Sequence, residues 1–180
     1  MKFKNDMGKS MFEMVLYLGL IVLLTASTIK MYADSVEKTR IIKLENQIDE
    51  IREGVNTYYL GRNLPNTSSN ANAYEKFKTE IGKAKFDNPW GGQVSLVTKN
   101  PTIGENGTAT PPFTKPSFGI KYDNNDTKRC INIATSFLSK GVIALQISDT
   151  TISGKNLSIG NVATNCTKKD AAVIGYFFKE

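Results

Sequence analysis

Histidine is absent from the 180 residues, cysteine occurs twice and tryptophan once. Without an imidazole there is no Ser-His or Cys-His pair to activate a nucleophile. Two cysteines alone cannot complete the four-ligand shell of a structural zinc ion. No metal or other cofactor is therefore expected, and the chain does not read as an enzyme. Two local motifs that suggest catalysis fail on context. Gly8-Lys9-Ser10 imitates the end of a phosphate-binding loop, but the earlier glycine would fall at Phe3, no strand precedes it, and the helix that follows is apolar. Ser35-Val-Glu-Lys38 has Ser-x-x-Lys spacing, but it lies on a charged helical stretch with no pocket around it. Proline is scarce as well. The first of six is Pro65, and four fall between Pro101 and Pro116, so nothing in residues 1–64 forbids one long helix.

Charge is modest: 23 Lys+Arg against 17 Asp+Glu give +6, and loss of residues 1–8 would leave about +5. Acids are interspersed with the basic residues through most of the chain, so nucleic acid is not expected as a partner.

What the sequence does have is an apolar run from Met14 to Ile29 without a charged residue. Counted back to Ser10 it reaches the roughly 20 residues an α-helix needs to cross a bilayer core. Glu13 interrupts its amino-terminal edge, and an acid inside such a span marks function, because carrying it to the bilayer centre costs about 2.5 to 3.5 kcal/mol. Lys2, Lys4 and Lys9 precede the run and place the amino terminus in the cytoplasm, with the rest of the chain outside. A cleaved secretory signal is the competing reading, with Thr25-Ala26-Ser27 imitating its cleavage site. The length of the run and the presence of Glu13 favour a retained anchor.

A short basic leader, Gly8, and Glu13 five residues later at the mouth of a transmembrane helix resemble the class III signal of type IV pilins and pseudopilins. The resemblance implies cleavage between Gly8 and Lys9 by a prepilin peptidase, N-methylation at Lys9, and a role for Glu13 in filament assembly. Lys9 departs from the pattern, since many pilins begin with Phe, Met or Leu. Asn88-Pro-Trp-Gly-Gly92 also looks like the segment that leads into the first strand in type IVb pilins and major pseudopilins.

Beyond the anchor, Ile41, Leu44, Ile48, Ile51, Val55 and Tyr58 recur at intervals of three and four, the stripe of a helix that continues the anchor to about Leu60 and stops near Gly61. Loops are expected at 62–73 and 100–116, and a short helix at 74–81. Strands are expected at 93–98 and 117–122, then an Asp-Asn-Asn-Asp turn at 123–126, for which turn chemistry is favoured over calcium binding. A helix should cover 127–139 and end at Gly141. Residues 142–148 should form a central strand, 156–159 a short strand, and 171–178 a strand that closes the sheet. Trp90 reads as a core residue beside the first strand. Asn-x-Ser/Thr sequences at Asn66, Asn106 and Asn156 read as composition, not as glycan acceptors.

Cys130 and Cys166 lie on the side of the membrane where thiols are oxidised and are expected to form one disulfide, with two buried thiols as the alternative. The whole is read as an α+β pilin fold: leader 1–8, the transmembrane and assembly half of the helix at 9–30, and a head at 31–180 in which the outer half of the helix packs on an antiparallel sheet. The resemblance implies a bacterial inner-membrane subunit with a periplasmic head. It would self-associate into a helical filament with the help of the prepilin peptidase, a membrane platform and its ATPase. A type II secretion pseudopilin, or a minor pilin that binds DNA or a surface, are the alternatives. If Gly8 precedes the cut, Gly8→Leu should leave the precursor intact in membranes, because the peptidase has to fit the backbone closely there. Intact-mass measurement checks this, and a mature chain beginning anywhere but Lys9 contradicts the assignment.

Overall fold

Helix α1 runs from Asp6 to Tyr58 without a break, as the absence of proline allows. It stops where Gly61 takes a φ of 68° and the Arg62 amide closes onto the Tyr59 carbonyl at 2.9 Å. The computed structural model describes residues 6–65, 74–98, 117–167 and 170–179, and the chain divides into two units, residues 1–39 and 40–180. The expected loops fall largely outside the described residues, as do Asn66 and Asn106.

In the second unit, Leu44, Ile48, Ile51 and Val55 of α1 are completely buried. They form one stripe along the helix, the arrangement their spacing predicts. Ile41 is half-buried at one end of it. At the other end Tyr59, not Tyr58, is the buried ring, because the following segment covers that side: Tyr59 meets Tyr74 edge-on at 5.9 Å. Tyr58 is half-buried against Phe77 at 5.4 Å. Tyr74 and Phe77 belong to a short helix, α2 (Glu75–Ile81), and the residue before it.

Five antiparallel strands follow in the spatial order β1-β2-β5-β3-β4: β1 (Val94–Val97), β2 (Ser117–Asn125), β3 (Ala144–Ile147), β4 (Thr150–Ser153) and β5 (Ala171–Phe178). Helices α3 (Thr127–Ser139) and α4 (Ile159–Asn165) complete the head. Three expectations need correction. Strand β2 continues through Asp123 to Asn125, with an irregularity after Tyr122 that lets Asn125 pair with Ala171. The buried Asn125 amide donates to the Tyr122 and Ala171 carbonyls, both at 3.0 Å, and so holds this kink. The central strand is β5, whose near-continuous apolar run Ala-Ala-Val-Ile-Gly-Tyr-Phe-Phe is buried on both faces; β3 lies between β5 and the edge strand β4. Finally, residues 156–159 are not a strand. The Ile147–Thr150 pairing makes a two-residue hairpin through Ser148 (φ 53°) and Asp149, which places β4 earlier. The Ser158 hydroxyl then caps α4 by accepting from the Asn161 amide at 3.3 Å.

The main core lies between the α1 stripe, α3 and one face of the sheet, where Phe118, Ile120, Tyr122, Val173 and Phe177 point. Ala144, Ile174 and Tyr176 form a smaller cluster on alternate positions. Residue 175 has to be glycine: a Cβ there would come within 2.3 Å of the Phe137 ring, which lies over β5. Trp90 packs against the main core, as expected of it.

Cys130 on α3 and Cys166 at the end of α4 are bonded, with Cα atoms 5.7 Å apart and both residues fully buried. The bond fastens α4 and the chain leading to β5 onto the helix that packs on β5. Closing a loop of this length restricts the unfolded chain by about 3 to 4 kcal/mol. Cys130→Ser should lower the stability of the head by a few kcal/mol and expose it to proteolysis, as measured by denaturant unfolding and limited digestion. Alkylation of both cysteines in native, non-reduced protein would show that no bond exists.

Candidate assembly surface

The surface most in need of a partner is the first half of α1. Met14 to Leu24 is an unbroken run of apolar residues, tyrosine and one glycine, so apolar side chains emerge on every face of the helix. All of them are exposed: Leu20, the least so, retains 54% of its surface and Tyr17 and Leu23 retain 68%. Among the described residues this is the one helix long and apolar enough to cross a membrane. The hydroxyls of Thr25, Ser27 and Thr28 are already satisfied within the helix. Thr25, Ser27 and Thr28 donate back to the carbonyls of Ile21, Leu23 and Leu24 at 2.9, 2.8 and 3.1 Å. They therefore present no unpaired donor to lipid or to another apolar helix.

Glu13 stands exposed at the edge of this surface. Gly8 and Lys9 lie in the first turns of α1, and Lys9 and Glu13 are four positions apart along it, about one helical turn. Cys130 and Cys166 are brought together. The acids that suggested calcium have other work. Asp123 pairs with Lys121 at 2.9 Å, and Asp126 caps α3 by accepting from the Arg129 amide at 2.9 Å. Among the described residues no three acidic or cysteine side chains converge.

One polar group escaped the sequence reading. Gln47, inside the apolar stripe of α1, is buried. Its amide nitrogen donates to the carbonyls of Lys85 and Asp87 at 2.5 and 2.9 Å, and its oxygen accepts from the fully buried Tyr122 hydroxyl at 2.8 Å. Burial pushes the Tyr122 hydroxyl well above the usual phenol range, so it stays protonated as a donor. Burial likewise pushes the Tyr176 hydroxyl up to about 12. The available signal for Gln47 was a carboxamide between Leu44 and Ile48 in a run of apolar contacts.

A long amino-terminal helix whose outer half packs on a five-stranded antiparallel sheet, with a disulfide-tied carboxy-terminal region, is the pilin fold. The chain belongs to the family described as PilS N terminal, which matches residues 31–177, and is a type IVb pilin-like subunit of a structural, non-enzymatic family. Among solved structures it is similar to TcpA, a type IV pilin from Vibrio cholerae El Tor biotype, at 12% identity and a TM-score of 0.53, over 77% of this chain and 99% of that one. A type IVb pilin from Salmonella typhi aligns at 15% identity with a TM-score of 0.49, over 77% of this chain and 97% of that one. No curated protein matches in sequence.

Proposed function

We propose that this chain is made as a membrane-anchored precursor, cut between Gly8 and Lys9 by a prepilin peptidase, N-methylated at Lys9, and polymerised into a type IV pilus-like filament. The observation that carries this reading is the unpartnered, all-round apolar half of α1 on a chain whose head belongs to a pilin family. Such a surface is at home in lipid, and it is equally at home against copies of itself. Before assembly residues 9–30 span the inner membrane, the amino terminus is cytoplasmic, and the head at 31–180 is periplasmic. On assembly the subunit leaves the bilayer with the help of a membrane platform and its ATPase. The anchor then becomes the interior of the polymer. A disulfide at the carboxy-terminal end, where major pseudopilins use calcium, favours a pilus over a secretion pseudopilus.

Glu13 has a specific task in this scheme. Once the lipid is exchanged for neighbouring helices, its carboxylate pairs with the new α-amine at Lys9 of an adjacent subunit. Removing one partner of a buried pair costs about 3 to 5 kcal/mol, although the intact pair is worth less, so the contact sets register more than it adds affinity. Glu13→Gln should therefore leave membrane insertion, cleavage and head folding intact while reducing fibre yield at least about tenfold. The check is the ratio of sheared-fibre protein to cellular protein. A normal ratio would remove Glu13 from the mechanism and leave apolar packing alone to drive assembly.

A further inference from the structure

We propose that Tyr17 is a positioning residue for Glu13: once lipid or other apolar helices surround this part of α1, the Tyr17 phenol donates to the Glu13 carboxylate and fixes its orientation. The hydrogen bond itself needs only the membrane anchor. Its use in assembly rests on the polymerisation reading above.

Between Met11 and Leu24, Glu13 and Tyr17 are the only side chains that carry oxygen or nitrogen. They stand four positions apart on one uninterrupted helix, and so share a face one turn apart. Direction matches as well. A long helical side chain leans toward the amino-terminal turn, which for Tyr17 is the turn that carries Glu13. Both side chains are exposed, Tyr17 over 68% of its surface, and among the described residues no hydrogen bond joins them. Water competes for both groups in that state; hydrocarbon does not.

Tyrosine in a membrane helix is at home at the headgroup level, with its ring in lipid and its hydroxyl in water. Tyr17 lies deeper, seven residues beyond Ser10 and so about 10 Å into the apolar span. A hydroxyl left unbonded at that depth is costly. Thr25 and Ser27 escape the cost by folding back onto carbonyls of their own helix, but tyrosine carries its hydroxyl beyond the ring and cannot. Glu13 is the one side-chain acceptor within a turn of it, and a carboxylate is the stronger kind of acceptor. A carboxylate also has two oxygens, about four acceptor sites in all. The phenol takes one and leaves the others for the α-amine of an adjacent subunit. Holding the side chain in place before that subunit arrives removes part of the ordering cost of the contact.

The test uses the full-length chain in vesicles of phosphatidylethanolamine and phosphatidylglycerol. The infrared difference between the parent and Glu13→Leu isolates the carboxyl bands of Glu13. The same difference taken in a Tyr17→Phe background isolates those bands without the phenol. The two sets should differ by a shift; coincident bands would overturn the hydrogen bond. Tyr17→Phe should also lower the ratio of sheared-fibre to cellular protein by about fivefold, since it keeps the ring and removes only the donor. An unchanged ratio would overturn the role in assembly. Tyr17→Leu combined with Leu18→Tyr keeps the composition but turns the phenol about 100° around the helix. It should behave as Tyr17→Phe does, in bands and in fibre yield. Parent-like behaviour would show that the tyrosine serves as a membrane anchor, and would overturn the proposal. If Tyr17→Phe is degraded in cells, this second variant decides. If the parent chain makes no fibres, the polymerisation reading and the assembly half of the proposal fall together, while the infrared bands still decide the hydrogen bond.

Discussion

The rest of the structure depends on one imbalance within a single helix. Residues 40–58 of α1 place a narrow stripe of large aliphatic side chains into the head and leave their other faces to water. Residues 11–29 place apolar side chains on every face and bury none within the chain. No monomer in water can satisfy both halves. The first needs a head of its own, and the second needs lipid or other copies. In the proposed cycle the subunit meets that second need twice, first with the bilayer and then with its neighbours, without refolding the head.

Within the head, the devices that hold α1 differ in kind. The aliphatic stripe supplies most of the driving force, at about 25 cal/mol per Å² of apolar surface removed from water. Gln47 and Tyr122 add direction, because an unsatisfied buried hydroxyl costs about 1 to 3 kcal/mol. Charged contacts at the rim, such as Lys85 to Glu50 at 3.2 Å, are half-exposed and screened, and contribute little. The disulfide acts elsewhere: it joins α3, whose Phe137 lies over Gly175 of β5, to the segment that leads into β5. The central strand is thus fixed by packing on one side and by a covalent tether on its approach.

Much of this was legible in the sequence because the governing patterns are local. The helical stripe, α3 from Thr127 to Ser139 and the first two strands follow from periodicity and capping residues that lie within a few positions of one another. What was not legible depends on pairing at a distance. The rank of β5 as central strand follows from neighbours more than twenty residues away in sequence, and the run at 142–148 looked equally apolar. The extension of β2 past Tyr122 rests on the Asn125 amide, which reads as a turn former until Ala171 is seen beside it. Gln47 could not be recognised without Tyr122, 75 residues away. Gly8, Lys9 and Glu13 were found through resemblance.

The central claim is that the exposed apolar half of α1 becomes the interior of a polymer. Helical reconstruction of fibres sheared from cells that express the chain tests it most directly. The account predicts a bundle of α1 helices along the axis, with residues 14–29 from several subunits in mutual contact and the sheet-bearing heads outside. Fibres in which residues 14–29 face solvent, or a chain found in membranes alone while fibres are built from another subunit, would contradict it.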